Sequence, residues 1–161
     1  MKRFALLAFA FAFAAIPTLA DATVAASYDL TPEANAKFLA DFAAEPGVVT
    51  LPGGLMYQVI EPGDGRGTSP LGKQDIVTVE YRGWLINRQI FDQTKQYEPR
   101  VLTTGNLIPG WSEAMYKMKS GQEWLLVIPA GLAYGAEGRS PVIPPNQTLI
   151  FQVKLEKVEY P

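Results

Sequence analysis

Two segments of this chain, Ile76–Leu85 (IVTVEYRGWL) and Thr148–Val158 (TLIFQVKLEKV), alternate apolar and polar residues almost without a break. A period of two places Val77, Val79 and Tyr81 on one face of the first, and Leu149, Phe151, Val153 and Leu155 on one face of the second. Long strands of this kind belong in an antiparallel sheet with one covered side, so the rest of the chain must supply the cover. Leu55–Ile60 and Glu123–Ile128 are two more strand candidates, and Gly and Pro punctuate the intervals.

Two short helices can supply cover. Thr31-Pro32-Glu33 reads as an N-cap, a first-turn proline and a first-turn acid. Ala34, Phe38, Leu39 and Phe42 follow at helical spacing, and Glu45-Pro46-Gly47 ends a helix predicted from Pro32 to Ala44. About three turns of Ala-rich amphipathic helix are marginal alone and must pack on the next domain or on another chain. The second helix is predicted from Trp111 to Met118, with Trp111, Met115 and Met118 on one face and Gly121 beyond its end. Several antiparallel strands with few helices make the class α+β.

The first residues have a different layout. Lys2 and Arg3 precede an uncharged apolar stretch from Phe4 to Ile16, and Ala20-Asp21-Ala22 fits a small-residue cleavage site, with Thr18-Leu19-Ala20 as the alternative. This is the plan of a secretory signal peptide. An apolar stretch of about 13 residues falls short of the roughly 20 that span a bilayer, so no stable membrane anchor is expected. The expected division is residues 1–22 as signal, 23–50 as an N-terminal helical extension and 51–161 as the main domain.

The chain has no His and no Cys. That excludes an imidazole base, a thiolate nucleophile, a disulfide framework and the usual His/Cys metal sites. A net charge of −2 gives no reason to expect a nucleic-acid partner. Gly63-Asp64-Gly65-Arg66-Gly67 is followed by Thr68-Ser69-Pro70 rather than a helix, so it reads as a turn and not a phosphate loop. Asp75, Glu80, Asp92 and Glu113 are acid/base candidates by type alone, because no spacing pairs them.

What remains is aromatic. Tyr81-Arg82-Gly83, Ile90-Phe91-Asp92, Leu107-Ile108-Pro109-Gly110-Trp111, Ala133-Tyr134-Gly135 and the stretch from Ile143 to Phe151 (IPPNQTLIF) occur in that order. The ordered set resembles the FKBP-type peptidyl-prolyl cis-trans isomerases over Leu51–Val158, and the lead-in LPGGLMYQV resembles their bacterial Mip-like (macrophage infectivity potentiator) branch. The resemblance implies an antiparallel sheet of five to six strands wrapped around one short helix, here preceded by one N-terminal helix. It implies an apolar cup with Trp111 as floor and Tyr81, Phe91, Tyr134 and Phe151 as walls, with Asp92 at a polar edge near Tyr81. Leu107, Ile108, Val142 and Ile143 are the implied substrate-binding residues, the Ile108 N–H and the Tyr134 hydroxyl holding substrate carbonyls. The implied partners are proline-containing polypeptides and macrolides of the FK506 and rapamycin type, with no cofactor and no metal. The branch implies export to the periplasm or cell surface of a Gram-negative bacterium and a role in folding exported proteins. A proline-segment-binding chaperone or surface virulence module is the alternative. Because only a short helix precedes Leu51, a monomer is expected.

Three positions depart from the family pattern. Asn87-Arg88 stands where an Asn-Gly or Asp-Gly turn is usual, so a different hairpin turn is expected. Arg100 and Val101 stand where an aromatic is common, with Tyr97 the nearest ring, which leaves that wall thinner. Arg139 occupies a variable loop tip after Tyr134, placed to tune the residue before the substrate proline.

Overall fold

The computed structural model describes residues 28–161; the signal-like segment and the start of the extension lie outside the described residues. Helix α1 spans Pro32–Ala43, with the Thr31 side chain accepting from the Ala34 N–H at 3.2 Å, as the capping sequence predicts. Strands β1 (Val48–Thr50), β2 (Met56–Glu61), β3 (Ile76–Leu85), β4 (Ile90–Gln93) and β5 (Arg100–Thr103) follow. A 3₁₀ turn and helix α2 (Pro109–Met115) lead to β6 (Glu123–Ile128), a long loop and β7 (Leu149–Glu159).

All pairings are antiparallel, in the order β1-β2-β6-β7-β3-β4, with β5 on the other half of the β3 edge. The α+β class and the single sheet agree with the sequence reading, but the sheet has seven strands rather than five or six. The additional pairings come from β1 and β5, three and four residues long, too short to show a period.

The sheet has two covered faces. Its inner face buries Val77, Val79, Tyr81, Trp124, Leu126 and Phe151 against Trp111, Ala114, Met115 and Met118 of the α2 segment. The outer face buries Met56, Ile86, Leu125, Val127 and Ile150 against Phe38 and Phe42 of α1, both fully buried. Strand β6 therefore runs almost wholly buried, as its unbroken WLLVI requires. Asn35 adds a polar lock. It is buried, donates to Gln147 Oε1 at 3.2 Å and accepts from the Thr148 N–H at 2.8 Å, tying α1 to the start of β7.

The β3–β4 hairpin has a different turn from the family's usual one. Of the Asn87-Arg88 pair, Arg88 alone has a positive φ, +71°. The Arg88 N–H bonds Leu85 O at 2.8 Å and the Leu85 N–H bonds Gln89 O at 3.0 Å, while Asn87 Oδ1 accepts from the Gln89 N–H. This is a turn closed by a left-handed bulge residue, the place where Gly is usual.

Candidate active site

Trp111 enters the site because α2 begins beside β6 with almost no clearance. A Cβ on Gly110 would lie 2.4 Å from Ile128 Cγ2, so only glycine lets the helix start there, and Pro109 sets its first turn. The indole is 4 % exposed. Its ring centroid lies 5.2 Å from Tyr81 and 5.2 Å from Phe151, with interplanar angles of 82° and 86°. Phe91 meets Phe151 at 5.4 Å and 89°. These are edge-to-face contacts, in which the positive rim of one ring meets the negative face of the next. They fix four rings from four elements around one hollow. Gly83 on β3 makes room for two of them, since a Cβ there would be 2.6 Å from Phe151 and 2.8 Å from Phe91.

The hollow has a volume of about 160 Å³. Tyr81, Phe91, Trp111, Tyr134 and Phe151 line it, together with Asp92, Leu107 and Ile108. These eight of the ten sequence-predicted site residues are brought together. Val142 and Ile143 do not line it. The loop from Arg139 to Ile143 closes on itself, with Arg139 N–H to Ile143 O at 2.7 Å and Ile143 N–H to Arg139 O at 2.9 Å. That closure turns Ile143 into the core at 2 % exposure and leaves Val142 on the surface.

One side of the hollow is polar. The Tyr81 hydroxyl donates to Asp92 Oδ2 at 2.6 Å. Arg100 Nη1 donates to the Tyr81 hydroxyl oxygen and to Asp92 Oδ2, the latter at 3.2 Å. The guanidinium also lies over the Tyr81 ring, 5.3 Å from its centroid. Burial, followed by the hydrogen bond to the Asp92 carboxylate, pushes the Tyr81 hydroxyl well above its ordinary range, so it is a fixed un-ionised donor at neutral pH. Tyr134 and Arg139 also line the hollow, the guanidinium 5.7 Å from the Tyr134 ring centroid.

Sequence reasoning left Leu102 and Asn106 out of the lining, and placed Arg100 only as the occupant of a thinned wall. Leu102 lines the hollow there and Arg100 lies over the Tyr81 ring beside it, whereas Tyr97 is outside the lining and 63 % exposed. Asn106 could have been found from its position directly before the Leu107-Ile108 pair. Asp75 has a structural job: its carboxylate accepts from the Leu71 and Gly72 N–H groups at 2.6 and 2.9 Å. Among the described residues no group of His, Cys, Asp or Glu is clustered to hold a metal ion.

The hollow is thus an apolar cup with one polar edge, anchored by Tyr81, Asp92 and Arg100. The family model for FKBP-type peptidyl-prolyl cis-trans isomerases matches residues 67–156, and the model for the domain amino terminal to it matches residues 10–59. This chain belongs to the FKBP-type peptidyl-prolyl cis-trans isomerase family.

It is 44 % identical over 123 residues to the outer membrane protein MIP of Legionella longbeachae, covering 76 % of this chain and 52 % of that one. It is 42 % identical over 128 residues to the peptidyl-prolyl cis-trans isomerase Mip of Coxiella burnetii, covering 79 % and 54 %. The chain thus spans about half the length of these relatives. A crystal structure of a peptidyl-prolyl cis-trans isomerase from Pseudomonas syringae superposes with a TM-score of 0.73 at 36 % identity, covering 80 % of this chain and 92 % of that one. The crystal structure of FkpA from Escherichia coli gives 0.72 at 42 %, covering 78 % and 57 %. No helix among the described residues is long and apolar enough to cross a membrane.

Proposed function

We propose that this chain catalyses cis-trans isomerisation of X–Pro peptide bonds in exported proteins and so assists their folding. The single observation that carries the reading is the edge-to-face cup of Tyr81, Phe91, Trp111 and Phe151, an apolar hollow of about 160 Å³ suited to a proline ring.

Rotation about an X–Pro bond breaks no bond, so neither nucleophile nor metal is required. The barrier of about 18–20 kcal/mol comes from amide resonance. At the midpoint of rotation that resonance is lost and the carbonyl oxygen carries less negative charge. A dry apolar cup disfavours the planar, more polar amide relative to the twisted one. About 6 kcal/mol of such differential stabilisation amounts to roughly a 10⁴-fold acceleration. Orientation supplies part of it. Among the described residues the Ile108 N–H has no acceptor, which suits it to hold a substrate carbonyl beside the ring. The Tyr134 hydroxyl in the lining is the second candidate donor.

Residues 1–22 are taken as the export signal, 23–50 as an extension and 51–161 as the isomerase unit, with the product released to the periplasm or cell surface. Macrolides of the FK506 and rapamycin type are candidate competitive ligands of the same cup. The fully buried Phe38 and Phe42 turn the apolar face of α1 onto the sheet, which supports a monomer and leaves the cup itself as the surface on which the chaperone alternative rests.

The test is a protease-free isomerisation assay on a proline peptide, wild type beside Trp111→Ala. The reading expects catalysis by the wild type and a loss of at least about tenfold in the folded variant. A wild-type rate equal to the uncatalysed one would overturn it.

A further inference from the structure

Two arginines stand at the cup, Arg139 in its lining and Arg100 against Tyr81 and Asp92, and they differ in how their charge is used. Arg100 is bound to the Asp92 carboxylate at 3.2 Å and to the Tyr81 hydroxyl, so its charge and that of Asp92 offset each other. Arg139 is exposed, and among the described residues it has no carboxylate partner. Its guanidinium meets Tyr134: it sits 5.7 Å from the ring centroid, and Nη1 lies 3.5 Å from the hydroxyl.

Three consequences follow for a chain lying across the cup. The lip formed by Tyr134 and Arg139 carries a positive charge that, among the described residues, has no carboxylate within ion-pair distance, and it stands beside the apolar hollow. The charge is held in place. Stacking on Tyr134 and the backbone closure from Arg139 to Ile143 limit the rotamers that would have to be frozen on binding. And a guanidinium presents a planar fork of N–H donors matched to a carboxylate, which a neutral side chain in the same position cannot exploit equally.

We propose that Arg139 is a specificity-determining residue of this site: it selects polypeptides with an acidic residue adjacent to the proline. The inference rests on the isomerase reading for its substrate class and adds the charge preference. An exposed ion pair is weak, so the selectivity is modest, about two- to fivefold over an uncharged isostere. It is also screened by salt, because the pair is at the rim.

The experiment uses the full chain and four short peptides that place Glu or Gln immediately before or immediately after one proline. Isomerisation rates and, independently, affinities from intrinsic tryptophan fluorescence are measured for wild type, Arg139→Gln and Arg139→Glu. The readout is the Glu/Gln ratio within each set, which cancels any general effect of the substitution on the cup. The expected result is a wild-type ratio above one in at least one set. It falls to about one in Arg139→Gln, falls below one in Arg139→Glu, and shrinks towards one in 1 M salt. The set that carries the effect also gives the direction in which the polypeptide crosses the site. Ratios that are the same in all three proteins, in both sets and both measurements, overturn the proposal. Absence of turnover with all peptides, beside a charge-dependent affinity, would sink the isomerase reading while leaving the role of Arg139 intact.

Discussion

The side-chain amide oxygen of Asn35 and the backbone N–H of Thr148 meet at 2.8 Å inside the protein, joining the N-terminal helix to the residue just before the last strand. Asn35 also donates to Gln147 Oε1, and Gln147 Nε2 in turn donates to Leu30 O at 3.1 Å. Asn35, Gln147 and Thr148 are all buried. Replacing Asn35 with Ala strands the Thr148 N–H without water, at a cost of about 1–3 kcal/mol. The expected outcome is a clear drop in Tm or denaturant midpoint, larger than that of the exposed control Lys37→Ala, measured by thermal or urea unfolding.

Tyr81→Phe removes the hydroxyl that Asp92 and Arg100 share, and leaves their ion pair in place. At neutral pH the variant should lose about 0.5–1.5 kcal/mol of stability. Its response to alkali should also change. The Tyr81 hydroxyl ionises at higher pH in the folded than in the unfolded chain, because of burial and then Asp92. Above about pH 10 the unfolded state therefore loses its proton first, and folded stability falls as pH rises. Tyr28, pushed up to about 12 by burial and its bond to Asp41, acts in the same sense. Tm against pH from 8 to 11 should decline less steeply in Tyr81→Phe than in wild type; identical slopes would refute the assignment.

Gly83→Ala tests how tightly the cup is framed. The new methyl group would lie within 3 Å of both Phe151 and Phe91, so one ring must move. Overpacking of this kind costs about 1–3 kcal/mol. Proline-peptide turnover should fall in the folded variant together with its stability. A fully active Gly83→Ala protein would show that the two rings do not need their present positions.

Isomerase activity should ignore chelators and thiol reagents. It should also be flat from pH 6 to 9, since the chain has no His and no Cys to titrate or be modified there. EDTA, iodoacetamide and a pH–rate profile check this directly. A bell-shaped profile centred near 7 would contradict this, because it would require a strongly shifted carboxylate or amine to transfer protons in the reaction.

Much of this architecture was legible because its signals are local. The bounds of β3 and β6 agree with the alternating or apolar runs that predicted them, and α1 follows from Thr31-Pro32 and the Phe38/Phe42 spacing. The four rings of the cup were named from ordered short motifs. Less legible were features that depend on two distant segments. That α1 covers the outer face of the sheet is hinted at only by the unbroken apolar run of β6. The stacking of Arg100 on Tyr81 depends on where β5 pairs with β3, a register that four residues cannot announce. Val142 and Ile143 were carried as a pair from the motif, but a tight loop points neighbouring side chains in opposite directions. One entered the core and the other faced solvent.

The two-sided coverage of the sheet also sets where this protein can be cut. A chain started at Leu51 keeps every lining residue of the cup, yet it loses β1, the partner of β2, along with Phe38 and Phe42. Met56, Ile86, Leu125, Val127 and Ile150 would then form a continuous oily patch beside a bare β2 edge, an invitation to self-association. For anyone trimming or fusing this protein, the workable boundary lies before Leu30, some twenty residues upstream of Leu51.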